Sequence, residues 1–175
     1  MKKRIYSAVA VALLVILYIV IFYLSSDLAE ESSMKSSAVT RLLVKSWYFL
    51  QNGDNVQVRG DYMDLTMLSL EKLVRKLAHF TEYLCMGWLS YSLVLLWWKG
   101  KLRNGRLLIL MQLLLSASLD EFHQFFVPGR NASVKDVLID SLGGITGMIL
   151  IEFILRTKRR LSKVIQGHPR SMADG

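Results

Sequence analysis

Ionisable side chains occur in this sequence inside long apolar segments, where they can transfer protons or bind ligands. The stretch 107–140 begins as an apolar helix and then places Asp120, Glu121, His123 and Gln124 where a membrane helix would continue. Ionisable groups at bilayer depth cost about 2.5–3.5 kcal/mol each on insertion scales. Several of them close together therefore need mutual pairing, water or a function, and we favour a functional cluster over a purely structural salt-bridge network.

Three pairs of polar residues each share a helix face, because their members are three or four positions apart. The pairs are His79 with Glu82, Asp120 with Gln124, and Asp136 with Asp140. Asp120 and Glu121 differ by about 100° around the helix axis. We expect one of these two to face the cluster and the other to face a neighbouring helix; the sequence leaves open which.

Four apolar segments are long enough to position these side chains in a membrane. About 20 residues are needed, since about 30 Å of hydrocarbon is crossed at about 1.5 Å per residue. The predicted spans are 5–24, 77–98, 107–126 and 137–155. The sequence thus predicts an all-α membrane protein with four transmembrane helices in a single domain, residues 1–160. Residues 161–175 are predicted to form a polar cytoplasmic tail.

Basic residues at the segment ends predict the orientation. The first apolar segment follows Met1-Lys2-Lys3-Arg4 and exceeds the about 7–15 apolar residues of a secretory signal, which favours an uncleaved helix. Lys99–Arg106 and Arg156–Arg160 are also basic. Short basic flanks stay in the cytoplasm, so both termini are expected there, in a multi-pass membrane protein. The net charge of +8 then reflects topology, and no nucleic-acid partner is expected.

The predicted extracytoplasmic segment, 25–75, contains an amphipathic helix. Apolar residues recur there at helical spacing, opposite a polar face. They are Val39, Leu42, Leu43, Trp47 and Leu50. The helix can lie in the outer headgroup region or form a lid on the spans, and both interpretations stay open. Asn52-Gly53-Asp54-Asn55 is a turn signal, and helical structure is expected to resume near Leu70.

With this orientation, three spans bring their polar residues to one depth, about 4–9 Å below the outer helix ends. We expect a shared polar chamber in the outer half of the bilayer. Its candidate ligand-binding residues are Lys76, His79, Glu82, Asp120, Gln124, Arg130, Asp136 and Asp140. The candidate catalytic residues are His79, Glu82, Asp120 and Glu121. Arg75, Lys76, Arg130 and Lys135 are the candidate counter-ions.

Smaller features indicate packing. Gly143 and Gly147 form a GxxxG pair, which predicts a close helix–helix seam within the molecule rather than between two copies. The aromatic residues Tyr83, Trp88 and Tyr91 recur at helical spacing and are expected in the core. The single cysteine is expected to be a small core residue as well. It is Cys85, inside the second span.

Four motifs together resemble the VanZ family of bacterial membrane proteins. They are Phe22–Ser26, Arg75–Tyr83, Asp120–Arg130, and Asp136 and Asp140 followed by Gly143-Gly144. Asp27 stands where a glutamine is commoner in the family. The resemblance covers all but the C-terminal tail. It implies a small multi-pass protein of a bacterial cytoplasmic membrane, in a family named after an accessory protein of resistance to teicoplanin, a lipidated glycopeptide.

The sequence supports three functions. The first is an envelope factor that binds or modifies an outer-leaflet or cell-wall component and so influences glycopeptide susceptibility. Its expected partners are the lipid bilayer and a lipid-linked cell-wall precursor, a lipoteichoic-type glycolipid or the glycopeptide. The second is an intramembrane hydrolase or transferase for a lipid-linked substrate, using the His/Glu/Asp cluster.

The third is a proton-coupled transporter, because carboxylates in membrane helices often relay protons. It is disfavoured because the charged residues are expected only in the outer halves of the spans, whereas the inner halves are predicted to be apolar. No cofactor or metal is expected, because HxxE spacing is frequent by chance. A divalent ion remains an alternative, since His, Asp and Glu are metal ligands.

Overall fold

A computed structural model describes residues 1–52 and 60–166 of the chain, the side chains of 48, 51, 52, 60–68 and 163–166 excepted. All regular structure in these residues is helical, which confirms the all-α prediction. The helices are α1 Lys2–Ser25, α2 Ala29–Asn52, α3 Gly60–Trp97, α4 Leu102–Phe125 and α5 Val134–Gln166. The turn signal after Asn52 and the end of the predicted tail, from residue 167, lie outside the described residues.

Helix α3 is the centre of the bundle, packing against α5 most extensively and also against α1, α2 and α4. Its residues Tyr83, Met86 and Tyr91 are fully buried, and they meet Leu113 of α4 and Met148 of α5 in the core. The aromatic side chains therefore pack as predicted. Cys85 is exposed, so its assignment to the core was wrong. Its side chain lies on an exposed side of α3.

Two of the helices begin earlier than their apolar patterns predict. Helix α2 begins at Ala29, before the first apolar residue of its pattern, and α3 begins at Gly60 rather than near Leu70. The residues that precede the apolar patterns, 29–38 and 60–69, contain no proline, so the helices can extend through them. At the C-terminal end, α5 continues to Gln166, into the segment predicted as a tail.

A tight turn joins α4 to α5. The Arg130 N–H donates to the carbonyl oxygen of Val127 at 3.1 Å, and Gly129 has a φ of 78° between them. Proline at the second position and a positive φ at the third define a type II turn, which favours the Pro128-Gly129 pair found here. We call the end of the bundle that holds this turn the turn end. The α3–α4 loop and the start of α1 lie at the opposite end.

Glycines of α5 allow it to approach α3 closely. A Cβ on Gly143 would lie 2.3 Å from the carbonyl oxygen of Phe80, and one on Gly147 would lie 2.1 Å from that of Leu84. Both distances are shorter than any real carbon–oxygen contact, so only glycine fits at these positions. The predicted GxxxG seam is confirmed, and it lies between two helices of the same chain.

The outer surface of the bundle is apolar. Helix α1 and the part of α5 from Val134 to Ser162 are long and apolar enough to cross a membrane. The exposed fractions of large apolar side chains reach 63% at Ile19, 70% at Met111 and 66% at Phe153. Apolar surface of this extent is unfavourable in water and is expected of a helix in contact with lipid. The surface thus indicates a membrane protein.

Substitution of Gly147 tests the α3–α5 seam. We expect Gly147→Ala to destabilise the protein by about 1–3 kcal/mol, because the added methyl group forces the two backbones apart. The measurement is the midpoint of thermal unfolding in detergent. Ile149→Ala is the control, since Ile149 lies two residues away on the exposed side of α5. An unchanged midpoint for Gly147→Ala, or an equal loss in both variants, would contradict the seam.

Candidate functional site

Three polar side chains from three helices meet near the turn end. His79 of α3, Asp120 of α4 and Asp140 of α5 each offer one nitrogen or oxygen atom, and these three atoms lie within 4.8 Å of one another. Asp120 and Asp140 are buried, with exposed fractions of 8% and 2%. The close approach at Gly143 brings α5 against α3 one turn from Asp140 and His79. The convergence that the sequence predicts is therefore present.

Glu82 belongs to the same group. Its Oε2 lies 3.7 Å from Nδ1 of His79, a distance too long for a hydrogen bond. Both atoms are buried, and neither has a hydrogen-bond partner among the described residues. The HxxE pair shares one face of α3, as its spacing predicts.

The adjacent carboxylates of α4 point in different directions. Asp120 faces His79 and Asp140, and its Oδ2 accepts a hydrogen bond of 3.0 Å from Nε2 of Gln124. Glu121 accepts a hydrogen bond of 2.8 Å from the backbone N–H of Ser133, just before α5 begins. Glu121 thus satisfies a free N–H at the start of a helix. The sequence left open which of these two residues faces the cluster, and in the structure it is Asp120.

A cavity of about 240 Å³ opens beside the cluster at the turn end. Four basic side chains line it together with polar and acidic ones. The basic residues are Lys72, Arg75, Lys76 and Arg130; the others include His79, Glu121, Gln124, Asp136 and Asp140. Six of the eight predicted ligand-binding residues line this one cavity. Asp120 is buried and is not among the lining residues, and Glu82 lines a second cavity.

The second cavity, of about 160 Å³, lies between α1, α2 and α3. Arg75, His79 and Arg130 line both cavities and so separate them, and Glu82 lines the second. At its rim, Asp27 forms an ion pair of 2.6 Å with Lys35. Asp27 is the residue that departs from the commoner glutamine, and here it binds a lysine of α2.

Arg130 connects the turn to the end of α1. Its Nη1 and Nη2 donate to the backbone oxygens of Ser25 and Leu24 at 3.2 and 3.3 Å. Its Nε is buried without a partner among the described residues, as is the Nε of Arg75. Burial and the neighbouring charge of Arg75 lower the pKa of the Arg130 guanidinium from its ordinary value. Two guanidinium groups held close together favour an anion between them.

The remaining predicted residues lie at the edge of the site. Lys76 forms an ion pair of 2.8 Å with Asp136, and both side chains are partly exposed, so the pair contributes little to stability. Lys135 is exposed and lines neither cavity. His123 stacks on Phe22 with ring centroids 4.8 Å apart and lies 3.0 Å from Oγ of Ser26. It therefore links α4 to α1.

The sequence did not predict a polar network at the opposite end. Glu152 of α5 forms ion pairs with Arg106 and with Arg156, and it accepts a hydrogen bond of 3.3 Å from the Tyr91 hydroxyl. Between the two ends, Nε2 of Gln112 donates to the Tyr18 hydroxyl at 2.9 Å. The expectation that charges stop near the turn end, with the remaining halves apolar, was wrong because Glu152 lies inside the last predicted span.

Lys72 and the carbonyl groups at the end of α1 were also missed as parts of the site. Lys72 lies four residues before Lys76, so the helical repeat that grouped the other residues places it on the same face of α3. Backbone carbonyls leave no signal in side-chain patterns. Their role follows only from where Arg130 lies in the folded chain.

Comparison with known families identifies the chain. A model of the VanZ/LLP1 family matches residues 10–156. The chain belongs to the VanZ-like family. No curated protein and no solved structure matches it. In this VanZ-like protein the motifs that are separate in sequence converge in space, because Arg130 of the third motif binds the end of Phe22–Ser26 and His79 of the second meets Asp120.

Substitutions at the adjacent carboxylates test their different roles. In buffer with EDTA, we expect Glu121→Ala to destabilise the protein by about 1–3 kcal/mol, because the Ser133 N–H loses its acceptor. Asp120→Asn is expected to leave the unfolding midpoint unchanged or raise it, since it removes a buried charge beside Asp140. Glu30→Ala, at an exposed position of α2, is the control. Equal losses at 120 and 121 would contradict these assignments.

Proposed function

We propose that this VanZ-like protein spans a bacterial cytoplasmic membrane four times, through α1, α3, α4 and α5, with both termini in the cytoplasm. The basic flanks support the orientation, and the exposed apolar side chains support the spans. Polar residues interrupt the apolar pattern of α3 and α4. They can be accommodated in lipid because they face the interior of the bundle, where ionisable residues of membrane helices are generally found.

The chamber at the turn end then opens to the outside of the cell. We propose that it binds the anionic group of an outer-leaflet or cell-wall component. The observation that carries this proposal is the cavity of about 240 Å³ with its four basic side chains. Two of them, Arg75 and Arg130, have buried Nε atoms without a hydrogen-bond partner among the described residues. A buried N–H donor without a partner is unfavourable, so a ligand that supplies acceptors is favoured.

A phosphate is the anion best suited to these donors. Guanidinium groups bind phosphate oxygens in pairs of parallel hydrogen bonds, and arginine is the residue preferred for such contacts. The polar groups beside the basic ones, His79 and Gln124, can bind sugar hydroxyl groups. A lipid-linked cell-wall precursor or a lipoteichoic-type glycolipid combines a phosphate, sugars and a lipid chain, and it can reach the chamber from the outer leaflet.

Helix α2 is suited to lie at the membrane surface beside this chamber. Its small polar residues Ser32, Ser36 and Thr40 are buried against the bundle, whereas Leu43 and Trp47 are exposed. The buried hydroxyl groups of Ser36 and Thr40 donate to carbonyl oxygens of their own helix. The exposed apolar side favours insertion into the headgroup region over packing as a lid through that side.

Binding of such a component would change how a glycopeptide meets its target at the cell surface. Teicoplanin carries a lipid chain and acts on peptidoglycan precursors outside the membrane. A protein that holds a precursor or a glycolipid, or that binds the glycopeptide itself in the same chamber, would alter its access. We therefore propose that this member influences susceptibility to teicoplanin.

An intramembrane enzyme is the second candidate. The observation that favours it is the group of His79, Glu82 and Asp120, in which an imidazole and two carboxyl groups lie close together in a partly closed site. Such a set can donate and accept protons during hydrolysis or transfer at a phosphate or glycosidic bond. Release of a labelled product from a lipid-linked glycan by the purified protein would support this candidate over simple binding.

Arg75 tests the binding of a lipid phosphate. We expect Arg75→Gln to weaken binding of a polyprenyl phosphate by about 10-fold or more, because a hydrogen bond to a charged group contributes about 1.5–3 kcal/mol. Binding is measured on the protein in detergent micelles by native mass spectrometry. Arg103→Gln is the matched control, since Arg103 is exposed at the opposite end.

The uncharged polyprenol serves as a second probe and is expected to bind weakly to all variants. In a susceptible host, the wild-type protein and Arg103→Gln are expected to raise the inhibitory concentration of teicoplanin, whereas Arg75→Gln does not. Equal binding of phosphate and alcohol, or equal protection by both variants, would contradict the proposal.

Cysteine labelling tests the proposed orientation. In a Cys85→Ser background, Lys135→Cys is expected to react in intact cells with a maleimide that does not cross membranes. Lys101→Cys is expected to react only after the cells are permeabilised, because it lies in the loop at the opposite end. Both positions are exposed, so accessibility to water is matched. The reverse labelling pattern would place the chamber in the cytoplasm.

A further inference from the structure

Buried negative charge in the chamber is not balanced by the side chains around it. Among the described residues, no lysine or arginine nitrogen lies within 4.0 Å of a carboxylate oxygen of Asp120, Asp140 or Glu82. Within that distance the only contact with a basic side chain among the described residues is Nδ1 of His79, 3.7 Å from Oε2 of Glu82, and the imidazole carries a charge only when it is protonated. A buried carboxylate without a partner costs several kcal/mol, so the cluster requires protons or an added cation.

Asp140 is the strongest indication of a missing partner. Its exposed fraction is 2%, and it accepts no hydrogen bond and forms no ion pair within the described part of the chain. Its carboxylate lines the cavity and is aimed at the space shared with His79 and Asp120. Buried polar groups in folded proteins are nearly always hydrogen-bonded or bound to an ion, so a ligand is expected at this point.

The geometry of the three side chains suits a metal ion. Because their ligand atoms lie within 4.8 Å of one another, some point lies within about 2.8 Å of all three. Metal–ligand distances for nitrogen and carboxylate oxygen are about 2.0–2.2 Å for zinc. Each ligand atom therefore needs to move by less than about 1 Å to reach bonding distance. Rotation of the side chains can supply this movement while the helices stay in place.

We propose that His79, Asp120 and Asp140 bind one divalent metal ion of the zinc or manganese class. One imidazole and two carboxylates form a mixed nitrogen and oxygen set, which suits these ions better than magnesium or copper(I). The ion neutralises the two aspartates that no side chain balances. Three protein ligands leave at least one coordination position open, as in catalytic metal sites.

Glu82 completes the arrangement as a positioning residue. Metal-bound histidines generally donate their other ring N–H to a carboxylate or carbonyl group, which fixes the orientation of the ring. Glu82 Oε2, 3.7 Å from Nδ1 of His79, is placed to accept that proton after a small rotation. The Nε2 atom of His79 is then the metal ligand. This role explains why Nδ1 of His79 and Oε2 of Glu82 are both buried without a hydrogen-bond partner in the described part of the chain.

The open coordination position would meet a ligand in the cavity. His79 and Asp140 line it beside Arg75 and Arg130, so a phosphate oxygen can bind the ion and the guanidinium groups at once. This last step rests on the proposed function, whereas the metal site itself does not.

Metal binding by the full-length protein tests the site. The protein is reconstituted in lipid nanodiscs, stripped with EDTA and dialysed against Zn²⁺ or Mn²⁺, without added polyprenyl phosphate. We expect about one ion per chain in the wild-type protein by elemental analysis. Asp140→Asn and His79→Gln are each expected to weaken binding by 10-fold or more, and Glu82→Gln by about 10–100-fold through the imidazole.

Glu30→Gln is the control, because it removes one negative charge from an exposed position of α2 that lines neither cavity. We expect its affinity for the ion to equal that of the wild-type protein. Binding of neither ion to the wild-type protein would overturn the site. Equal binding to wild type and Asp140→Asn would also overturn it. Neither result would affect binding of a lipid phosphate.

Discussion

The backbones of α3 and α5 lie in direct contact, and this contact positions the polar residues of the chamber. Gly143 and Gly147 allow the backbones to touch at Phe80 and Leu84. His79 and Asp140 lie beside this contact, so their side chains come close to each other. Larger residues at positions 143 and 147 would hold the two helices farther apart. Helix α4 then adds Asp120 from its last turns. The chamber is thus a consequence of backbone packing, and its polar residues tolerate burial because three helices surround them.

The two ends of the bundle differ in how their charged side chains are paired. At the opposite end, Glu152 is balanced by Arg106 and Arg156, a pattern that fixes helix positions. At the turn end, Lys76 and Asp136 pair at the edge of the cavity. Arg75, Arg130 and Asp140 line the same cavity, and none of the three forms an ion pair with another described residue. Paired charges indicate structure, whereas unpaired buried charges of both signs indicate a place for a ligand. This contrast is the reason for assigning function to one network and packing to the other.

Much of this arrangement follows from the sequence, because helical periodicity groups residues by face. It predicted an all-α fold, the seam at Gly143 and Gly147, and the convergence of His79, Asp120 and Asp140. Periodicity could not choose between Asp120 and Glu121, since that choice depends on where the Ser133 N–H lies. It also did not predict the ion pairs of Glu152, because this residue stands alone among apolar neighbours in the last span. The backbone oxygens that bind Arg130 were missed as well. These depend on tertiary contacts between distant segments.

If the chamber holds an anionic ligand between Arg75 and Arg130, beside the cluster of His79, Asp120 and Asp140, an experimental structure in lipid nanodiscs with added polyprenyl phosphate will show it. We expect density for a phosphate group within hydrogen-bonding distance of both guanidinium groups. Density for the lipid elsewhere with the cavity containing only water, or the three side chains on separate surfaces, would contradict it.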